Sequence, residues 1–485
     1  MQHETELFIG GTWTAPSLDD EIEVICPHTE ACVARVAVAG PADVDAAVAA
    51  ARASFEKGDW SQADPSERVS AIKRLVEVYA ARQSEMAETI TSEIGAPISF
   101  SRRAQVAFPL AMMSAFAALA ESLTWRETRH GFFGPDVHVR KEPVGVVAAI
   151  VPWNMPQFLI TTKLIPALLA GCSVVLKPAA ESPLDALLLA RIIDEADLPP
   201  GIVSVVPGDA AVGEHLVSHP GVDKVSFTGS TAAGRRIAGV CGADLRPVSL
   251  ELGGKSAAIV LADADPATVS AGVRTASLSN SGQICNALTR VLVPTDRAGE
   301  FVDALAAEMG RMVIGDPRDP DTQVGPLVSR RQQERVRGYI ESGKREGAQL
   351  ILGGPEMPDG IDRGWYVQPT LFSGAHNSMQ IAREEIFGPV ITVITYGSEE
   401  EAISIANDSE YGLAGSVWTE DVDHGLAIAA QIRTGTFGVN QGYAMDPVAP
   451  FGGVKCSGYG RELGREGIEE YLITKSISVT STRPA

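Results

Sequence analysis

The chain has 485 residues, 45% of them apolar and 21% charged, with a formal net charge of −21. That length exceeds one ordinary core and predicts two or more domains of soluble globular composition. The acidic balance argues against nucleic acid and anionic membranes as partners, which need clustered cations, but leaves room for an anionic small ligand held by a few local donors.

Leu7 to Gly11 followed by Trp13 predicts a short hairpin turning at Gly10-Gly11. Ala42 to Phe55 predicts a helix, with Val44, Ala47, Val48, Ala51 and Phe55 on one face. Asp64-Pro65-Ser66-Glu67 is a helix start, and that helix can run to Gly95. Residues 104 to 120 are Ala-rich and apolar, a second buried helix. Residues 143 to 162 carry no charge, but Pro143, Pro152 and Pro156 rule against a membrane span; a buried strand, Val144 to Val151, running into a loop fits better.

From there strand and helix alternate. Strands are expected at Cys172–Leu176, Ile202–Val206 and Val222–Phe227, with helices at Lys163–Ala170, Asp185–Ala196, Val212–Val217 and Ala232–Val240. This rhythm predicts βαβ units and a parallel sheet covered on both faces. Ligands of such sheets sit at the carboxyl ends of the strands, where Trp153, Asn154, Lys177, Gly208, Gly229 and Ser230 fall. The C-terminal half alternates more loosely, with strands at Ala258–Leu261, Arg290–Val293, Val390–Thr395 and Gly415–Trp418 and a helix over Arg330–Glu346.

The six cysteines (26, 32, 172, 241, 285 and 456) are scattered without metal-ligand spacing, which suits reduced thiols in a cytoplasmic protein and no metal site. The acidic, polar start Met1–Glu6 carries no secretory signal pattern. His215 and His219 could share a helix face, but Leu216 stands where a zinc motif would place glutamate and Pro220 ends the helix. Cys285 follows a carboxylate, Glu251, in a glycine-rich setting. A thiolate attacks carbonyls and a carboxylate delivers water to the product, so the pair suits covalent catalysis followed by general-base catalysis. A lone cysteine after an apolar helix is more often a small buried hydrophobe.

Seven segments change that balance: Pro152-Trp153-Asn154, Lys177-Pro178-Ala179, Phe227-Thr228-Gly229-Ser230, Glu251-Leu252-Gly253-Gly254-Lys255, Gly282-Gln283-Ile284-Cys285, Glu384-Glu385-Ile386-Phe387-Gly388-Pro389 and Pro450-Phe451-Gly452-Gly453. In this order and near this spacing, from about residue 7 to about 480, the chain resembles the aldehyde dehydrogenase superfamily. The resemblance implies a Rossmann-like cofactor domain (1–122 and 143–252), an α/β catalytic domain (253–452) and a small β oligomerisation arm (123–142 and 471–480). It implies a homodimer or homotetramer. The short β-prone stretch Ser476 to Thr480 suits the arm.

By the same resemblance an aldehyde is oxidised to the acid through a thiohemiacetal and thioester on Cys285. Asn154 and the Cys285 N–H would hold the oxyanion, Glu251 would activate water and Glu462 would relay protons. Lys177 would hold the adenosine ribose, Gly208, Gly229, Ser230 and Leu252 the rest of the dinucleotide, and Glu385, Phe387 and Trp153 the nicotinamide end. No Gly-x-Gly-x-x-Gly is present; Gly229 to Gly234 takes the phosphate role instead. Glu251 favours hydrolysis over acyl transfer to coenzyme A. Many NAD-preferring members carry a glutamate three residues after the lysine. Here that residue is Ala180, with Glu181 next, so NADP⁺ is admitted beside NAD⁺; NAD⁺ ranks first because no arginine adjoins Lys177 in sequence. Met155, Phe158, Leu159, Thr162, Ile284, Asn286, Tyr443 and Met445 are the substrate-pocket candidates, mostly apolar and without an arginine, which suits an aromatic or long aliphatic aldehyde. The alternatives are a cysteine-dependent esterase or thioesterase, and a non-catalytic dinucleotide-binding relative.

Overall fold

A computed structural model describes residues 2–479. Five parallel strands form the middle of an eight-stranded sheet. Their spatial order is Val248–Glu251, Lys224–Thr228, Val146–Ile150, Ser173–Lys177 and Val203–Val205. Every residue of 146–150, 173–177 and 224–228 is buried, because helices cover both faces and neither side of these apolar runs meets water. Pro156–Ala170 and Leu184–Glu195 pack on one face; Pro41–Lys57 and Ala210–Ser218 pack on the other. The chain reverses its direction of sheet growth between 146–150 and 224–228, so the loops after Ile150 and Thr228 part there and open a crevice. At the far edge the Leu7–Ile9 and Thr12–Thr14 hairpin pairs antiparallel, turning through Gly10 and Gly11, both in the left-handed region.

A second, seven-stranded sheet is parallel except for one edge. Its order is Gln349–Leu352, Thr370–Ser373, Val390–Tyr396, Arg290–Pro294, Ala257–Val260, Gly415–Trp418 and Gly438–Val439. A separate antiparallel sheet joins Leu472–Ser478, Val137–Pro143 and Arg126–Arg129. The α/β class and its alternation therefore hold through both halves.

Several elements differ from their sequence-based expectation. The helix expected from Pro65 to Gly95 is two helices, Pro65–Ala81 and Gln83–Ile94, broken at Arg82, where the backbone leaves helical geometry; Asp64 caps the first and left-handed Gly95 stops the second. Residues 101–107 wind as a π-helix that runs into Phe108–Ser122, a widened turn that apolar patterning does not signal. The helix expected from Lys163 begins seven residues earlier, at Pro156, because proline suits the first helical turn. Lys177 is the last residue of its strand rather than the first beyond it. The last strand is Leu472–Ser478; Thr480 lies outside the described residues.

Candidate active site

Cys285 reaches its place through an unusual run of backbone. The helix Pro266–Leu278 ends, and Asn280, Ser281 and Gly282 follow with φ of 51°, 56° and 75°. Left-handed Asn and Ser each cost stability and persist only when neighbours fix them. Here the neighbours are present. Ser281 Oγ donates to the Gly325 carbonyl at 2.8 Å, Asn280 Nδ2 donates to the Asn154 carbonyl at 2.9 Å, and the Val328 N–H donates to Gln283 Oε1 at 3.1 Å. A side chain at Gly282 would run into the Gly388 carbonyl, and one at Gly254 into the Cys285 carbonyl. The cysteine loop is thus clamped between the Glu251–Lys255 and Glu384–Pro389 segments.

Asn154 is buried one step after Trp153, at the mouth of the crevice. Its Nδ2 donates to the Gln283 carbonyl at 3.0 Å, and its own carbonyl also accepts from Gln105 Nε2 at 2.9 Å. Gln105 comes from the π-helix, so that irregular turn serves to hold Asn154. The amide is therefore fixed beside the cysteine loop before any ligand arrives. Sequence reasoning did not single out Gln105, Asn280 or Gln283 for this work.

Glu251 ends its strand facing the same space. It is 4% exposed, and neither carboxylate oxygen has a hydrogen-bond partner among the described residues. Burial, then the Glu462 carboxylate, push it well above the ordinary range, while Lys163 and Arg461 pull the other way. Burial pushes the Cys285 thiol up to about 12, with Glu385, Glu251 and Glu462 adding to it; the Asn286 N–H acts in the opposite sense. Burial thus favours the protonated form of both groups.

Glu462 is buried and ion-paired with Lys163, whose ammonium also donates to Thr228 Oγ1 at 2.6 Å. Lys163 was missed. The signal was legible: it is the one charged residue in Pro156–Ala170, a helix in which all 15 residues are buried. A lysine there must be paired.

Toward the first sheet, Lys177 is 7% exposed, and its ammonium makes no hydrogen bond or ion pair among the described residues. Burial lowers it to about 8, and the Glu181 and Asp209 carboxylates counteract that. Across the crevice, the helix Thr231–Ala243 is capped by Ser230, whose hydroxyl accepts from the Ala233 N–H at 3.3 Å, so its first N–H groups face the opening. A side chain at Gly229 would strike the Phe227 ring, one at Gly208 would strike Val212, and Leu252 packs over Gly234. An unpaired buried cation and a free helix start fit a dinucleotide, whose phosphates and ribose would supply the missing partners. Glu385 accepts from the Gly254 N–H at 3.0 Å and is raised to about 7, chiefly by burial. Phe387, at φ 62°, sets its ring edge-on to Trp153 with centroids 5.4 Å apart. Gln332 and Arg335 hold the backbone of 385–387, a support that sequence reasoning also missed.

Met155, Phe108, Tyr443 and Met445 are half-buried apolar side chains that pack on the same core cluster as Cys285. Phe158 is buried and stacks on Phe108 at 5.9 Å and 9°, so Phe108 carries the exposed aromatic face there. Tyr443 lies against Phe451, and Ile284 and Asn286 flank the cysteine half-exposed. His215 and His219 both face Asp45, at 2.7 and 3.5 Å. A cavity of about 920 Å³ lies elsewhere, between the start of the Pro65–Ala81 helix and the strands Arg126–Arg129 and Val137–Pro143.

The profile of the Aldehyde dehydrogenase family matches residues 13–477. A geranial dehydrogenase from Castellaniella defragrans is 47% identical over 97% of this chain and 98% of its own length. The crystal structure of a Mycobacterium tuberculosis aldehyde dehydrogenase complexed with NAD⁺ superposes with a TM-score of 0.97 at 48% identity, over 100% of both chains. A mutant of aldehyde dehydrogenase C from Pseudomonas syringae, complexed with NAD⁺ and octanal, superposes with a TM-score of 0.95 at 42% identity, over 99% of this chain and 98% of that one.

Proposed function

The chain belongs to the aldehyde dehydrogenase family and oxidises an aldehyde to its carboxylic acid with NAD⁺; from that premise we propose which residues do the work and on what substrate. Cys285 is the nucleophile, Asn154 and the Cys285 N–H stabilise the oxyanion, and Glu251 is the general base. The observation that carries this assignment is Glu251: a buried carboxyl with neither oxygen hydrogen-bonded among the described residues, whose charge acts on the Cys285 thiol. A group so placed has no structural partner to serve and is free to take a proton from water.

When bound, NAD⁺ supplies the hydride acceptor and a positively charged ring near the thiol. Loss of the thiol proton lets Cys285 add to the aldehyde carbon, and the Asn154 amide, already fixed, meets the developing negative oxygen. After oxidation the acyl group remains as a thioester on Cys285. Glu251 removes a proton from water, the acid leaves, and Glu462 with Lys163 behind it passes the proton on. Lys177, Gly208, Gly229, Ser230 and Leu252 hold the adenosine and phosphate end; Trp153, Glu385 and Phe387 hold the nicotinamide end.

The substrate is an uncharged, apolar aldehyde of medium chain length or terpenoid type. Support comes from Met155, Phe108, Tyr443 and Met445, half-buried apolar side chains packed on the same core cluster as Cys285, from octanal in one neighbour and from the geranial dehydrogenase among the relatives. The chain divides into a cofactor domain (1–122 and 143–252), a catalytic domain (253–452) and an arm (123–142 and 471–480), and it works in the cytoplasm. The arm makes it a homodimer or homotetramer: every residue of Arg126–Arg129 is exposed, and a sheet that buries so little within its own chain needs a second copy to cover it.

The test is aldehyde-dependent NADH formation over a ladder of straight-chain aldehydes. Turnover should vanish in Cys285→Ala. In Glu251→Gln one fast turnover of NADH should remain, followed by slow release of acid. The value of kcat/KM should climb about three- to fourfold per added methylene until the pocket is filled. A Glu251→Gln variant with no change in steady-state rate would reject the general-base assignment.

A further inference from the structure

One helical run spans Ile98 to Ser122, and part of it is not an α-helix. Pro109 has no N–H to give the Gln105 carbonyl four residues back, and the Phe108 N–H reaches the Arg103 carbonyl five residues back instead. The start of the widened turn is pinned, with Thr91 Oγ1 donating to Ser101 Oγ at 2.8 Å.

Gln105 is the residue of this turn that bonds across to Asn154. Its side chain is fully buried. Nε2 donates to the Asn154 carbonyl at 2.9 Å, while Oε1 has no hydrogen-bond partner among the described residues. A leucine there would leave no such atom orphaned. Two unfavourable features, a π-turn and a half-satisfied amide, are thus kept for one bond to residue 154, and a buried unsatisfied group calls for a functional reason.

The bond has a companion close by. Phe108 follows the π-turn, half-buried, and stacks on Phe158 with centroids 5.9 Å apart and planes at 9°. Phe158 lies four residues after Asn154. The two segments are therefore joined twice, Gln105 to Asn154 and Phe108 to Phe158. A packed helical turn transmits a load on one joint to the other.

We propose that Gln105 is a positioning residue that couples the aldehyde-binding side of the site to the oxyanion donor: an aldehyde chain packed on Phe108 loads the turn through which Gln105 grips residue 154, and tightens a hold already formed as negative charge develops at the Asn154 amide. The inference rests on the proposed reading of Asn154 as oxyanion donor and of Phe108 as a neighbour of the aldehyde. Chain length is then expressed in the chemical step and not only in binding. A tail that merely filled an apolar pocket would lower KM and leave the chemical step alone.

Single-turnover NADH formation at saturating NAD⁺ and aldehyde, with propanal and octanal side by side, tests this. The wild-type rate should be at least about tenfold higher with octanal, and Gln105→Leu should cut that advantage to about threefold or less while octanal keeps its lower KM. Should Gln105→Leu fail to fold, Phe108→Ala reads the same linkage from its other joint and should cut the advantage likewise. Where both fold, the double variant should lose no more of the advantage than either single, since each breaks one linkage. Asn154→Ala separates the inference from the reading beneath it. If it slows both aldehydes on the order of 10²-fold or more while Gln105→Leu leaves the octanal advantage intact, Asn154 keeps its place and the role of Gln105 is wrong. If Asn154→Ala leaves both rates unchanged, the oxyanion reading itself fails. Equal wild-type rates with the two aldehydes, or additive losses in the double variant, would each overturn the proposal.

Discussion

Replacing Lys163 by methionine tests how the site holds its charges. Lys163 is fully buried, ion-paired with Glu462 and bonded to Thr228. Methionine keeps much of the volume but leaves the Glu462 carboxylate buried without its cation. Breaking a buried pair from one side costs about 3–5 kcal/mol. Removing both charges, in Lys163→Met with Glu462→Leu, should recover most of that loss, because an apolar pair needs no desolvation. Thermal unfolding should therefore fall by several degrees in the single variant and much less in the double. The same cycle has a catalytic readout. In the proposed role Glu251 must be ionised to activate water, so steady-state turnover after the first burst should rise with pH through its pKa. Lys163 favours the ionised form of Glu251 and Glu462 opposes it. The rise should move to higher pH in the single variant and back toward lower pH in the double. The reasoning fails if the single variant melts like the wild type, if the double is no more stable than the single, or if the acid limb of the single variant stays put or moves down.

Three further outcomes are expected. Inactivation of the cofactor-free enzyme by iodoacetamide should be slow at pH 7 and quicken about tenfold per pH unit toward pH 9, since the thiol sits near 12, and NAD⁺ should accelerate it; a flat profile would contradict a protonated thiol. Asn154→Ala should lower kcat on the order of 10²–10³, with little change in NAD⁺ affinity by titration calorimetry. The buried pair of Glu93 and Asp185 should make the protein less stable as pH rises. Burial lifts Asp185 to about 7 and lifts Glu93 as well, so folding takes up protons between the unfolded carboxyl range and pH 7, and the stability linked to them is lost across that window. Asp185→Asn keeps an acceptor for Gln157 Nε2, now at 2.6 Å, and should melt higher than wild type at pH 8 and alike at pH 5.

The parts of this molecule that read from sequence are those where one residue type has one physical use. Continuous apolar runs marked four of the five parallel strands of the first sheet to within two residues, though not Val248–Glu251, and Asp64-Pro65 marked a helix start. Gly229 and Ser230 marked the strand-to-helix turn because the strand and the helix pattern meet there. The supports of the site did not read. Gln105 works only because residues 101–107 wind as a π-helix, and no composition specifies that. Asn280 and Gln283 look like loop polars until the fold brings Asn154 against them. Arg331 lies 150 positions from Glu181, so its pairing depends wholly on how the two sheets meet. Lys163 was the exception: a single charge inside an all-buried helix announces a buried partner, although not which one.

The charge state of the site bears on why its parts are so closely fixed. Cys285, Glu251 and Glu385 are all pushed by burial toward their neutral forms. A cysteine in that state resists oxidation and stray electrophiles, since the thiolate is the reactive species. A positive charge beside the thiol would favour the thiolate, and it acts on that one thiol only from a set position. That requirement accounts for Asn280, Ser281 and Phe387, each held in left-handed backbone geometry by named hydrogen bonds or packing. The left-handed backbone at these positions fixes where the thiol sits.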